Sequence, residues 1–162
     1  MPSILNQKER MLLQDQQHHE QLCIQKYTKY SNEAQDPQLK QLFQTHASHE
    51  QHHFDTISQI LSGQVPNLNQ QQGQGQQSQS SQIYNTGITQ NQNTSFNQND
   101  ASLANDMLTT EKYISGTYDT TIFEIRDTNI RQVLNHIQKE EQKHGEDLYK
   151  YMQSHGMYNT PS

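Results

Sequence analysis

The chain has 162 residues, a length that suits one domain or one domain with a long insertion. Its net charge is −6, and no cluster of Lys and Arg falls on a predicted helix face, which argues against nucleic acid and membranes as main partners. Hydrophobic residues make up only 29%, no apolar run is long enough to span a bilayer, and residues 1–10 lack the apolar segment of a signal peptide. We therefore expect a protein that is made and folds in a cytosol.

The first half of the chain predicts two helices, because apolar residues recur at helical spacing. The first helix is predicted from about residue 6 to residue 33. Asp36-Pro37 ends it and begins the next, since Pro is favoured at the first position of a helix. The second helix is predicted to run to about residue 62, where Gly63 closes it.

A polar segment at residues 63–98 follows the first two helices. No charged residue occurs between Asp55 and Asp100, and Gln, Asn, Ser and Gly fill most of the stretch. This composition is typical of a flexible or disordered connection. The segment is also long enough to run the length of a helical bundle as a crossover.

The second half again predicts two helices, at about residues 100–125 and 128–155, with Gly156 as the residue that follows the last helix. The turns within each half are very short, so each pair of helices forms an antiparallel hairpin. We predict an all-α, ferritin-like four-helix bundle made of two repeated hairpins. It forms one domain overall, composed of a first hairpin (1–62), a Gln-rich crossover (63–98) and a second hairpin (99–158).

The two hairpins are related by an internal repeat. Residues 91 positions apart match repeatedly across the helices, without a gap. The matching polar and aromatic pairs include Glu20 with Glu111, Tyr27 with Tyr118, Asp36 with Asp127, Glu50 with Glu141, and His53 with His144.

Four Glu and two His residues interrupt the apolar faces of the predicted helices. Helices two and four each carry a Glu-x-x-His pair where an apolar residue is expected, and helices one and three each carry one Glu. In both halves the single Glu precedes the Glu of the pair by 30 residues. The predicted metal ligands are Glu20, Glu50, His53, Glu111, Glu141 and His144.

Burying four carboxylates without compensating charge would cost more than the roughly 5–15 kcal/mol of net stability that a domain has. Two divalent ions would neutralise them, and a Glu from each of two helices plus Glu-x-x-His from the other two is the ligand set of di-iron and di-manganese bundles. The ligands do not distinguish iron from manganese. The alternative is a degenerate site that keeps these residues but is held by hydrogen bonds and is empty of metal in vivo, or that binds zinc adventitiously.

Other residues near this set have simpler interpretations. Tyr27 and Tyr118 are expected to pack in the core, with hydrogen bonding to a ligand as the alternative. His46 lies one turn from Glu50, so it is either a satisfied core histidine or a neighbour of a ligand. Further predictions are that Cys23 is a small buried hydrophobe, that Glu33 and Glu124 are charges at helix ends, and that His18, His19, His49 and His52 are exposed.

The second half resembles the spore coat protein F family of endospore-forming bacteria, part of the wider ferritin-like group with rubrerythrins and manganese catalases. The motifs that carry the resemblance are Thr110-Glu111-Lys112-Tyr113, Tyr118, Glu140-Glu141-Gln142-Lys143-His144-Gly145-Glu146 and Tyr151-Met152-Gln153-Ser154-His155-Gly156-Met157-Tyr158. The resemblance implies a spore coat component, synthesised in the mother-cell cytoplasm, with other coat proteins as partners. The long helices and acidic surface also allow a homodimer.

Two functions remain open at this point. The first is a spore coat component whose bundle holds a dinuclear metal site. The alternative is a di-iron or di-manganese oxidoreductase, acting as a ferroxidase, peroxidase or catalase-like enzyme that protects against oxidative stress. Metal storage is less favoured because nothing in this short chain indicates a closed shell.

Overall fold

The computed structural model describes residues 4–68 and 96–158, which contain four long α-helices. The predicted crossover at residues 63–98 falls mainly on residues 69–95, which lie outside the described residues. The helices are α1 (Gln7–Glu33), α2 (Pro37–Leu61), α3 (Gln98–Glu124) and α4 (Thr128–Ser154). Each helix is 25 or 27 residues long, and the third begins two residues before its predicted start.

Each helix begins at a side chain that accepts a hydrogen bond from the backbone of the first turn, which satisfies a donor that the helix itself leaves free. These N-cap residues are Asn6, Asp36, Asn97 and Asp127. Asp36 is followed by Pro37 at the first helical position, as predicted. At the other end of α4, Gly156 has φ +69°, a conformation that side chains with a Cβ rarely adopt.

The helices pack as two antiparallel hairpins, α1 with α2 and α3 with α4, and the hairpins meet through α1 with α3 and α2 with α4. The predicted all-α bundle of two helical hairpins is confirmed. Its core is one cluster of apolar side chains from all four helices. Some apolar residues are only half-buried because they lie at the margin of their helix face, among them Leu12, Tyr30, Phe54 and Ile122.

Two acidic residues at equivalent positions of the repeat form hydrogen bonds between the hairpins. Glu9 in the first turn of α1 accepts hydrogen bonds from the backbone and guanidinium of Arg126, in the α3–α4 turn. Asp100 in the first turn of α3 accepts from the backbone N–H groups of Gln35 and Asp36, in the α1–α2 turn. Each hairpin therefore satisfies the turn of the other with an acid at the same repeat position.

No helix within residues 4–68 and 96–158 combines the length and the apolar character needed to cross a membrane.

Candidate metal centre

The structure brings all six predicted ligands together in the middle of the bundle. Helices α1 and α3 contribute one Glu each, and α2 and α4 contribute one Glu-x-x-His pair each, because a spacing of three residues places both side chains on one helix face. None of the six is more than 2% exposed. Their placement in the core is thus as the repeat predicts, and their role as metal ligands stays a prediction.

The six side chains form two overlapping groups that share Glu50 and Glu141. One group adds Glu20 and His53, and the other adds Glu111 and His144. Within each group, one nitrogen or oxygen atom from every residue lies within 4.8 Å of the others. A metal ion with ligands at about 2.0–2.2 Å brings its donor atoms to a spacing of this order. Each group could therefore hold a metal ion, and Glu50 and Glu141 belong to both groups.

The Glu-x-x-His pairs contact each other across the bundle. The Nδ1 atom of His53 lies 3.0 Å from Glu141 Oε1, and the Nδ1 atom of His144 lies 2.9 Å from Glu50 Oε1. These two contacts join equivalent positions of the repeat, so the local twofold symmetry of the hairpins extends to the cluster. Each imidazole faces the carboxylate of the opposite hairpin.

The two shared carboxyl groups resist ionisation. Burial, followed by the charge of Glu20, raises the pKa of Glu50 well above its ordinary value. Burial, followed by the charge of Glu111, raises the pKa of Glu141 in the same way. Both groups therefore hold a proton more firmly than a carboxyl group in water does.

The other two carboxyl groups are shifted in the opposite direction. Burial alone would raise the pKa of Glu20, but hydrogen bonds, the largest with Glu50, lower it. Burial likewise opposes ionisation of Glu111, whose pKa is lowered by hydrogen bonding with Glu141 and by the charge of His144. The cluster thus pairs one protonated and one ionised carboxyl group in each half.

The two histidines retain their protons. Burial would lower the pKa of His53, but hydrogen bonds with Glu140, Glu141 and other carboxylates raise it well above its ordinary value. For His144, the charge of Glu111 and its hydrogen bond outweigh burial and raise the pKa. Protons on both imidazoles and on the two shared carboxyl groups, where these shifts favour them, would make the charges of the cluster nearly cancel.

Three carboxylate oxygens of the cluster have no hydrogen-bond partner although they are buried. They are Glu20 Oε2, Glu111 Oε2 and Glu141 Oε2. A buried oxygen without a donor is costly, and most such atoms in folded proteins are paired. A divalent cation would bind these oxygens, and the Glu and His donors fit iron or manganese. The donor set present therefore fits a divalent metal ion.

Two buried tyrosines orient carboxylates of the cluster. The Tyr27 hydroxyl donates a hydrogen bond of 2.5 Å to Glu111, and the Tyr118 hydroxyl donates one of 2.5 Å to Glu20. Burial and the neighbouring carboxylates raise the pKa of both tyrosines, so the hydroxyl protons stay in place. These residues pack in the core, as expected, and also make the ligand contact that the sequence leaves as an alternative.

His46 is a neighbour of the cluster. Its ring stacks on His144 with the centroids 4.2 Å apart, and its Nδ1 lies 3.2 Å from the Tyr27 hydroxyl. Its other nitrogen lies 3.3 Å from Asp147 Oδ2. Burial and then the charge of His144 lower the pKa of His46 to about 4. His46 is therefore held neutral beside a predicted ligand.

Sequence reasoning misses two residues that contact the outer nitrogens of the paired histidines. Glu140 Oε2 lies 3.0 Å from His53 Nε2, and His49 Nδ1 lies 3.0 Å from His144 Nε2. Burial opposes ionisation of Glu140, but the hydrogen bond with His53 lowers its pKa to about 2. His49 and Glu140 lie 91 positions apart and so occupy equivalent positions of the repeat. The repeat is the sequence signal that relates the two residues, although their side chains differ.

The sequence also predicts positions for seven further residues. Cys23 is fully buried, and Glu33 and Glu124 are exposed at the last positions of α1 and α3. His18 and His52 are exposed, whereas His19 is half-buried against Thr117. His49 is exposed as predicted but also contacts His144, because an imidazole at the edge of a helix face reaches inward from a surface position.

Comparison with known proteins finds a match for the second hairpin. The family model described as the Coat F domain matches residues 99–161, which include α4 and all of α3 except its first residue, Gln98. This match confirms the resemblance seen in the sequence, over the part of the chain where the motifs lie. No curated protein and no solved structure matches the chain. The wider relationship to the ferritin-like group stays a prediction.

Proposed function

We propose that the protein, whose second hairpin matches the Coat F domain model, is a spore coat component whose helical bundle binds two divalent metal ions, iron or manganese. The overlap of the two ligand groups at Glu50 and Glu141 carries this proposal. The three buried carboxyl oxygens without donors support it, because Glu20 and Glu111 belong to different groups and an ion in each group would satisfy these oxygens.

Charge balance is compatible with two ions. Two divalent ions would take the place of four protons on the shared carboxyl groups and the imidazoles, where those protons are favoured, so the buried cluster would stay close to neutral. Metal binding requires these carboxyl groups and imidazoles to lose their protons, so protons are released when the metal binds.

The chain's own residues would position the ions. Tyr27 and Tyr118 hold Glu111 and Glu20, and Glu140 orients the ring of His53. Such contacts around ligands commonly set affinity and geometry. A bound dinuclear centre would supply redox and Lewis-acid chemistry.

The alternative function, an oxidoreductase that uses this centre, is tested by the same preparation. Protein purified without oxygen is mixed with Fe(II) or Mn(II), and bound metal per chain is measured together with oxygen or peroxide consumption. About two ions per chain without turnover fits a coat component alone, whereas turnover with the same stoichiometry favours the enzyme. No stoichiometric metal in any condition contradicts the site.

Matched variants separate the cluster from surface binding. Glu141→Ala and His144→Ala are expected to lose bound metal. Glu33→Ala and His52→Ala remove the same side-chain types from exposed positions and should bind as the wild type does. For the coat role, the protein should be present in coat extracts of purified spores, and its absence from them while the mother cell contains it would contradict the proposal.

A further inference from the structure

A surface pocket between α3 and α4 reaches the cluster from one side of the bundle. Its volume is about 490 Å³, and Glu111 and Glu141 are among the residues that line it. These two side chains are 2% and 1% exposed, so they form the inner end of the pocket. Lys112 and Gln142 are exposed and lie at its rim. The pocket therefore connects solvent with two of the six predicted ligands.

Small residues keep this pocket open. Ser115 on α3 and Gly145 on α4 line it, and a Cβ added to Gly145 would meet nothing closer than Leu108 Cδ1 at 3.8 Å. The equivalent positions of the first hairpin carry Ile24 and Phe54. The two hairpins thus differ where their repeat would otherwise make them alike, with small residues on the α3–α4 side and large ones on the α1–α2 side.

The chemistry of the pocket suits a divalent cation. Three carboxyl groups line it, from Glu111, Glu141 and Glu146, together with one ammonium group from Lys112, and Glu146 also pairs with Lys143 and Lys150. Glu111 and Glu141 each have a buried Oε2 atom without a hydrogen-bond donor. Hard divalent cations prefer oxygen ligands of this kind. An ion that enters from solvent would meet these carboxylates first.

An access route is needed because the cluster is buried. None of the six ligands is more than 2% exposed, so an ion cannot reach them without either a passage or an opening of the helices. We propose that divalent metal ions enter the bundle through this pocket and reach the cluster at Glu111 and Glu141. This inference rests on the proposed function, because it concerns the loading of the same site.

The test is a comparison of metal-loading rates in full-length protein. Gly145→Leu fills the pocket from α4, and Ser115→Ile fills it from α3 with the residue that stands at the equivalent position of the first hairpin. Cobalt(II) is mixed rapidly with each protein, and its visible absorption is followed over time. We expect loading to slow by about tenfold or more, which requires only a modest rise in the barrier, while the final number of ions per chain stays the same.

Gly116→Leu is the matched control. Gly116 lies on the exposed side of α3, with nothing within 4 Å of an added Cβ, and it does not line the pocket. The substitution adds the same side chain and the same gain in helix propensity as Gly145→Leu. Its loading rate should match that of the wild type. Circular dichroism before each measurement shows that the variants fold, and the two filling variants lie on different helices so that one result does not depend on the other.

The outcomes separate this inference from the proposed function. Wild-type protein that binds no cobalt at equilibrium contradicts the metal site and the route together. Wild-type protein that loads, with both filling variants loading at the same rate, contradicts the route alone. A filling variant that loses bound metal at equilibrium would show that the residue shapes the site rather than its access, and this also overturns the route.

Discussion

The Tyr27 hydroxyl on α1 donates a 2.5 Å hydrogen bond to Glu111 on α3, a residue 84 positions away in the chain. Tyr118 makes the same contact with Glu20 at the same distance. Each hairpin therefore orients the carboxylate that the other hairpin contributes to the cluster. The two halves of the candidate site depend on each other through these tyrosines.

Replacing Tyr27 by Phe should weaken metal binding, because Glu111 loses the donor that holds it in place. Substitution of such an orienting partner commonly lowers metal affinity by about 10- to 100-fold. The change is measurable by competition with a chelator of known affinity.

Tyr30→Phe is the control for this variant. Tyr30 lies on the same helix and donates a similar hydrogen bond, but to Asp106, which is outside the cluster. The metal affinity of the Tyr30→Phe variant should equal that of the wild type. Equal affinities for all three proteins would contradict the orienting role of Tyr27.

Glutamine at two cluster positions, 141 and 111, should affect stability differently when a chelator keeps the protein free of metal. Glu141 resists ionisation, so Glu141→Gln replaces a protonated carboxyl group by a neutral one of similar shape and should change the melting temperature little or raise it. Glu111 is favoured in its ionised form. Glu111→Gln removes the carboxylate that its donors contact and should destabilise the protein by about 1–3 kcal/mol.

Thermal unfolding followed by circular dichroism distinguishes the two variants. Adding metal should raise the melting temperature of the wild type and should have a smaller effect on either variant, because a ligand that binds only the folded state stabilises it. Equal destabilisation by both substitutions in chelator would show that the two carboxyl groups do not differ in ionisation.

Metal affinity should increase as the pH rises. The pKa values of Glu50, Glu141, His53 and His144 are all raised. These groups therefore bind protons more tightly than usual, and metal binding must displace those protons. Calorimetric titration in buffers of different ionisation enthalpy measures the protons released. Binding without proton release would contradict this account of the cluster.

The contact between Glu9 and Arg126 should contribute stability in a pH-dependent way. Burial opposes ionisation of Glu9, but hydrogen bonds with Arg126 lower its pKa from 4.5 to about 2. A lowered pKa in the folded state means that the contribution is present above the unfolded value and is lost as the pH falls from about 4.5 towards 2. Glu9→Gln should therefore be less stable than the wild type at pH 7, and the difference should shrink below pH 4.5.

Urea unfolding at several pH values measures this difference in the free energy of unfolding. Glu124→Gln removes a carboxylate from an exposed ion pair with Lys8 and should have little effect at any pH, as is usual for surface pairs. A difference for Glu9→Gln that stays constant from pH 7 to pH 3 would contradict the assignment.

The sequence by itself determined the four helices, the two hairpins and the identity of the six clustered residues. These features follow from helical periodicity, from capping residues and from a repeat of 91 positions, all of which are local or self-similar properties of the chain. A Glu or His on an apolar helix face can be recognised in the sequence because it replaces the apolar residue that the core requires.

Only the tertiary structure decided which side chains meet across the bundle. Periodicity places Tyr27 on a buried face, but it does not specify that its hydroxyl reaches Glu111 on another helix. Glu140 and His49 lie at the edges of their helix faces, where sequence alone predicts exposure. Their contacts with His53 and His144 depend on the approach of the facing helices. The same approach, with Gly145 between α3 and α4, leaves the pocket that reaches the cluster, because side-chain volume acts only once the helices are packed together.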